Sequence, residues 1–168
     1  MKSIRNIAFS ALLTFGAFSM VTYTACNKDE CKDVVCQNGG TCVTGTCNCP
    51  TGYEGTSCET LSRAKFIGTW TGSDKCNINT YNVTMTINTS TNEIQALVNN
   101  PGGFGNSITI TGVITNNNEL SFTNQSAGGT GRIINGKMTV NGNSLTFTYT
   151  VTDALGGSDS CTGTYAKG

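Results

Sequence analysis

The sequence predicts a mainly β protein in two parts: a small disulfide-stapled module, then a roughly eight-stranded antiparallel barrel or meander. Three observations predict it. Six of the nine cysteines fall between Cys31 and Cys58. From Phe66 onward, apolar residues alternate with threonine, serine and asparagine. Turn residues rich in glycine and asparagine interrupt that alternation at short intervals. A segment as short as the first cannot bury enough apolar surface to offset its chain entropy, so cross-links must hold it. Period-two alternation is what a strand with one buried face requires.

The chain begins with a secretory pattern. Lys2 and Arg5 form a positive start, and residues 7–21 are apolar or small. The stretch is too short and too early for a permanent membrane helix. It ends in Thr22-Tyr23-Thr24-Ala25-Cys26. Small residues before a cysteine resemble the bacterial lipobox, which implies residues 1–25 as a lipoprotein signal peptide and Cys26 as the first mature residue and the site of lipidation. Tyr23 departs from that pattern, since a leucine-like residue is usual there. It fits an ordinary small-x-small cleavage site even less well. A soluble secreted or periplasmic protein and an uncleaved anchor are the alternatives. Lys28-Asp29-Glu30 follow at once and resemble the surface-export signal of Bacteroidetes lipoproteins. Residues 26–30 then form the anchor and tether, and the expected place is the outer face of the outer membrane. Two or more acyl chains give stable anchoring.

Next comes Cys31-x4-Cys36-x5-Cys42-x4-Cys47-x-Cys49-x8-Cys58, with Gln37-Asn38-Gly39-Gly40-Thr41-Cys42 inside it and a C-x-C-x2-G-Y-x-G-x2-C ending. This cysteine density reads as a disulfide framework in an oxidising compartment. Spacing alone leaves fifteen pairings open. Residues 31–59 resemble the EGF-like module. The resemblance implies Cys31 with Cys42, Cys36 with Cys47 and Cys49 with Cys58, and a Tyr53 ring lying over a small two-stranded sheet. Gly39, Gly40, Gly52 and Gly55 suit tight turns that need positive φ. A zinc site is the competing reading, but Cys47-x-Cys49 is poor zinc spacing and the chain has no histidine. Calcium-binding EGF modules carry acidic and amide ligands before the first cysteine, and Asn27, Asp29 and Glu30 match that run. The gap Val43-Thr44-Gly45-Thr46 lacks the further side-chain ligand and the aromatic that such modules also need. The resemblance therefore implies at most a weak calcium site, and no other cofactor.

Residues 60–65 form a short polar linker without proline or glycine, which is not the composition of a long flexible tether. Residues 66–168 then read as the all-β head. Its expected strands are about 66–75, 80–88, 93–99, 106–115, 118–124, 130–140, 144–152 and 158–166 by alternation and turn chemistry. Asn135-Gly136 is read as a bulge, because a hairpin turn there would leave too short a strand. Short connections favour an up-and-down meander, and closing it removes both sheet edges. Cys76 and Cys161 stand near the two ends of this region and pair if first and last strands meet, with Cα atoms within about 7 Å. Gly68-Thr69-Trp70 resembles the Gly-x-Trp opening of lipocalin-like barrels, where the tryptophan plugs the closed end. Together with the lipobox it resembles small lipocalin-like lipoproteins of the Bacteroidetes.

The sequence shows no catalytic constellation, so the expectation is a protein that is not an enzyme. The commonest general base is absent, and every cysteine has a role. Asp153, Asp159, Glu93 and Glu119 read as solvated carboxylates near strand ends. The Pro101-Gly102-Gly103-Phe104-Gly105 loop reads as mobile, with Phe104 at its tip as a lid or contact. Only 12% of residues are charged, with basic and acidic side chains equal in number. No basic patch points to nucleic acid. Two functions remain: a cell-surface binding or adhesion lipoprotein contacting a protein or glycan, with the EGF-like unit as spacer, or a carrier of a small apolar ligand. Inward residues as large as Phe66, Trp70, Tyr81, Met85, Phe122, Phe147 and Tyr149 favour a filled barrel and hence the first. A void above about 300 Å³ would favour the second.

Overall fold

A computed structural model describes residues 30–129 and 131–168. The expectations for residues 1–25, Cys26, Asn27, Lys28 and Asp29 lie outside the described residues.

The N-terminal module is built from two small antiparallel ladders. β1 (Thr41–Val43) pairs with β2 (Thr46–Asn48), and β3 (Tyr53–Glu54) pairs with β4 (Thr60–Leu61). Disulfides join Cys31 to Cys42, Cys36 to Cys47 and Cys49 to Cys58, with Cα separations of 5.8, 5.6 and 5.3 Å. Gly39, Gly52 and Gly55 have positive φ, which a side chain would disfavour. Gly40 differs from expectation. Its φ is ordinary, and it is needed for close approach: a Cβ there would lie 2.7 Å from the Cys58 sulfur.

The head is a closed barrel of eight antiparallel strands in which every strand pairs with its neighbours in sequence. These are β5 (Gly68–Cys76), β6 (Thr80–Thr89), β7 (Gln95–Asn99), β8 (Thr109–Asn116), β9 (Glu119–Ser126), β10 (Ile133–Asn141), β11 (Ser144–Thr152) and β12 (Ser158–Lys167), with β12 closing onto β5. Alternation decides which side chains point inward. On β11 Leu145, Phe147 and Tyr149 are buried while Thr146, Thr148 and Thr150 form the outer face. Closure leaves no free edge on a threonine-rich surface.

Several boundaries move inward from the expected ones for local reasons. Phe66 is not in the first strand. It ends a short 3-10 turn, Ser62–Lys65, and the strand begins at Gly68. β7 starts at Gln95 because Asn92 folds back, its Oδ1 accepting from the Ile94 N–H at 3.1 Å. β8 starts at Thr109 because the preceding loop closes on itself, with the Gly105 N–H donating to Asn100 Oδ1 at 2.8 Å. The expected irregularity near Gly136 is present, but the additional residue lies on the facing strand. Between Ile134 and Gly136 the partner register on β9 runs from Gln125 to Phe122, and Asn124 there has a φ of 50°. The Asn124 N–H, freed from the ladder, donates to Asn135 Oδ1 at 2.7 Å.

An up-and-down barrel puts alternate loops at alternate ends. The chain enters β5 and leaves β12 at one end, which also carries the β6–β7, β8–β9 and β10–β11 loops. This end is closed. Phe66 and Trp70 are fully buried, and Trp70 Nε1 donates to the Phe66 carbonyl at 2.7 Å. The Lys167 ammonium lies 5.3 Å from the centre of the Trp70 ring. Trp70 therefore plugs the barrel base, the role its Gly-x-Trp context implies.

The module docks against this closed end. Arg63 Nη1 donates to three backbone carbonyls of the β6–β7 region, Ser90 and Asn92 at 2.7 Å and Gln95 at 3.2 Å. Lys65 Nζ bridges Glu54 of the module and Asn118 of the β8–β9 turn at 2.7 and 2.6 Å. The Ser62 hydroxyl donates to Asn117 Oδ1 at 3.1 Å. The Tyr53 hydroxyl donates to Glu93. The polar tip of Tyr53 therefore reaches out of the module to the barrel. The joint is a set of directed contacts, as its lack of glycine and proline suggests.

Candidate binding site at the barrel mouth

The other end carries the β5–β6, β7–β8, β9–β10 and β11–β12 loops, and it is open. A cleft of about 600 Å³ lies there, lined by Ile78, Tyr81, Phe104, Arg132, Tyr149 and Val151 among others. The expectation of a filled barrel therefore holds only for the lower part. There Phe122, Phe147 and Tyr149 form a continuous aromatic column, with ring centres 5.5 Å apart for the first pair and 4.2 Å for the second. Tyr81, expected inside, has the right parity but sits above the last full layer of core and is half exposed.

The rim is apolar. Ile78 is 80% exposed and Leu155 is 96% exposed, and both stand on loops at this end. Isolated exposed apolar residues are ordinary, but here they stand beside a concave opening, which is where an interaction site is expected.

The β7–β8 loop seats on one side of the opening. Phe104 does not project from a free tip, as expected of it; it is partly buried and packs against the core. Gly102, at φ 58°, lies directly against Tyr149, and a Cβ there would come 2.5 Å from the tyrosine oxygen. The Arg132 guanidinium, from the β9–β10 loop, lies over the Phe104 ring, 6.0 Å from its centre.

Beneath the cleft is a polar cluster. Asp74 on β5 is fully buried. Tyr149 of β11 donates to one carboxylate oxygen at 2.6 Å, and Tyr165 of β12 donates to the other. Burial pushes the Asp74 carboxyl above the usual carboxylate range, and the two tyrosine hydrogen bonds oppose that shift. Burial likewise raises both tyrosines, and the Asp74 charge adds to it. Gly163 makes the room, since a Cβ there would fall 2.0 Å from Asp74 Oδ1. Sequence reasoning missed Asp74. The signal was parity: it lies four residues after Trp70 on the same strand, hence on the inward face.

The remaining sequence candidates separate by end. Asp153 and Asp159 both line the mouth. Asp153 Oδ1 accepts from the Leu155 and Gly157 N–H groups at 2.9 and 2.8 Å and so shapes the β11–β12 loop. Asp159 Oδ1 accepts from the Asn77 N–H at 3.1 Å. Glu93 and Glu119 belong to the closed end, Glu93 receiving Tyr53 and Glu119 pairing with Lys137 at 3.0 Å. That contact with Lys137, with help from Thr115, holds the Glu119 carboxyl below its usual value.

Cys76 and Cys161 are direct register partners in a disulfide with Cα atoms 4.0 Å apart, on the wall of the cleft. The Asp159 carboxylate lies near both sulfurs. A disulfide offers no thiolate, so this trio is not a metal centre. Of the calcium candidates only Glu30 is described, as an exposed residue near Gly45. Among the described residues no helix is long and apolar enough to cross a membrane.

Fold and disulfides together define a mainly β protein whose closed eight-stranded antiparallel barrel is consistent with the lipocalin-like architecture. No protein-family model matches the chain.

Proposed function

We propose that this is a Bacteroidetes-type surface lipoprotein, tethered through Cys26, whose barrel head is a non-catalytic binding unit with its contact site at the open mouth. The observation that carries this reading is the arrangement of the two ends. The EGF-like module and the 60–65 joint meet the closed end by way of Tyr53, Ser62, Arg63 and Lys65. A tether running through that module therefore meets the barrel at the end opposite the cleft. The module serves as a spacer that holds the mouth away from the lipid, and Lys28-Asp29-Glu30 serve as the export signal.

The cleft also bears on the choice between adhesion and carriage. At about 600 Å³ it falls within the range of sites that enclose small ligands. Ile78, Phe104 and Val151 in its lining suit a ligand with an apolar body. This favours the carrier reading over the adhesion reading that side-chain sizes alone suggest. A protein or glycan partner at the rim is the second reading, supported by the exposed Ile78 and Leu155.

A Cys26→Ser chain keeps every contact described above and is the form to test. Titrated with the neutral apolar fluorophore N-phenyl-1-naphthylamine, it is expected to show saturable one-to-one binding. Val151→Arg, which places a charge in the cleft wall, should weaken that binding at least tenfold. Absence of saturable fluorescence, or equal binding by Val151→Arg, contradicts a ligand site in the mouth.

A further inference from the structure

We propose that the mouth selects a small organic cation, an amine carried on an apolar or aromatic body. The inference rests on the mouth being the ligand site and adds the chemistry of what enters it.

Three features of the cleft converge on a cation. The first is the charge of its walls. Asp153 and Asp159 line it, and Arg132 is the basic residue that lines it with them. Neither carboxylate has an ion-pair partner among the described residues. Each is bound through Oδ1 to backbone N–H groups, which fixes its position without neutralising its charge. Low-dielectric walls concentrate the field of such charges inside a cleft.

The second feature is the aromatic lining. Tyr81, Phe104 and Tyr149 reach the same cleft from three elements. Ring faces carry partial negative charge and attract cations, more so when the cation is partly desolvated. One of these faces already holds a cation, because the Arg132 guanidinium lies over Phe104. Arg132 thus marks a cation position within the site, and it competes for that position with any incoming ammonium.

The third feature is below the floor. Among the described residues the Asp74 carboxylate receives side-chain hydrogen bonds from Tyr149 and Tyr165, and no basic side chain is paired with it. Tyr149 belongs to both sets: its hydroxyl is held by Asp74, and its side chain lines the cleft. A hydroxyl that donates to a carboxylate is polarised as an acceptor, which suits an ammonium N–H. Ile78 and Val151, which line the same cleft, accommodate the body of the amine.

The test compares three ligands of one size and different charge: 2-phenylethylamine, 2-phenylethanol and phenylacetate. Binding to the Cys26→Ser protein is measured by calorimetry and located by the NMR shifts of the Tyr81, Gly102 and Phe104 signals. The amine is expected to bind at least tenfold more tightly than the alcohol, with phenylacetate weakest. Asp159→Asn keeps an oxygen acceptor for Asn77 and should reduce the amine's advantage to less than about threefold. Arg132→Gln removes the competing guanidinium and should strengthen amine binding. If the alcohol or phenylacetate binds as tightly as the amine at the mouth signals, the mouth remains the site and the charge preference is wrong. If Arg132→Gln weakens the amine, the guanidinium is not a competitor and the cation assignment is overturned. If none of the three ligands moves the mouth signals, the cation inference and the ligand site fall together.

Discussion

Replacing Cys76 and Cys161 together by serine is expected to lower the stability of the barrel by about 4–5 kcal/mol, the chain-entropy value for a loop of this length. The bond spans 85 residues, the longest closure in the described chain. It ties β5 to β12, the pair whose meeting turns a meander into a barrel. Once it is removed, the unfolded chain regains most of the conformations of the head, while the native ladder between the two strands remains. The loss should appear as a fall of about 20 °C or more in the Tm, given the usual entropy of a domain this size. The buried Trp70 reports the transition by fluorescence. A double variant within about 1 kcal/mol of the parent would mean that the seam is held by its ladder and core alone. The module, with its own three bridges, should be unaffected.

Asp74→Ala should be the most damaging single substitution at the floor of the mouth, at about 3 kcal/mol or more, because two buried tyrosine hydroxyls lose their acceptor at once. Asp74→Asn separates charge from hydrogen bonding. The amide keeps one acceptor, and a tyrosine oxygen can accept from its NH₂. Burial raises the Asp74 carboxyl in the folded state. The native state therefore holds this proton at pH values where the unfolded chain has released it. Its contribution to stability is full below the ordinary carboxylate pKa and is lost as the pH rises through the raised native value. Relative to Asp74→Asn, which has no such titration, the parent should lose stability on going from acid toward neutral pH. Denaturant midpoints of the two proteins across that range give the difference directly. A difference independent of pH would show that the carboxylate stays ionised throughout, with its two tyrosines offsetting burial. Asp74→Ala should lie below both at every pH.

Much of this architecture is legible in one sequence because it depends on periodicity and parity, which are local. Thr146, Thr148 and Thr150 between Leu145, Phe147, Tyr149 and Val151 state both the strand and its inner face. Three module bridges follow from resemblance to the EGF-like pattern, and the fourth follows from which cysteines remain and where strands must meet. Features that depend on distance between remote segments were not legible. Tyr53 lies 40 residues from Glu93, and nothing local to either names the other. Gly40 resembles a turn glycine, yet its constraint is the Cys58 sulfur. The sequence points to a bulge at Gly136, the conspicuous residue, whereas the additional residue is Asn124 on the facing strand, and asparagine tolerates that conformation. The mouth was hidden for a related reason. Summed side-chain size predicts a filled barrel, but the large residues gather in the lower layers and leave Tyr81 and Val151 around a cleft. Asp74 was within reach of parity and was overlooked because it stands among polar neighbours, Ser73 and Lys75, on a strand that looks solvated.

The account depends on one end being tethered and the other open, and that depends on how the nine sulfurs are used. Peptide mapping by mass spectrometry of the protein extracted from membranes, without reduction, tests it most directly. The account predicts an N-terminal peptide beginning at Cys26 and carrying acyl chains, and four bridged pairs: Cys31 with Cys42, Cys36 with Cys47, Cys49 with Cys58, and Cys76 with Cys161. An unacylated Cys26, or Cys26 bridged to a cysteine of the head, would contradict it.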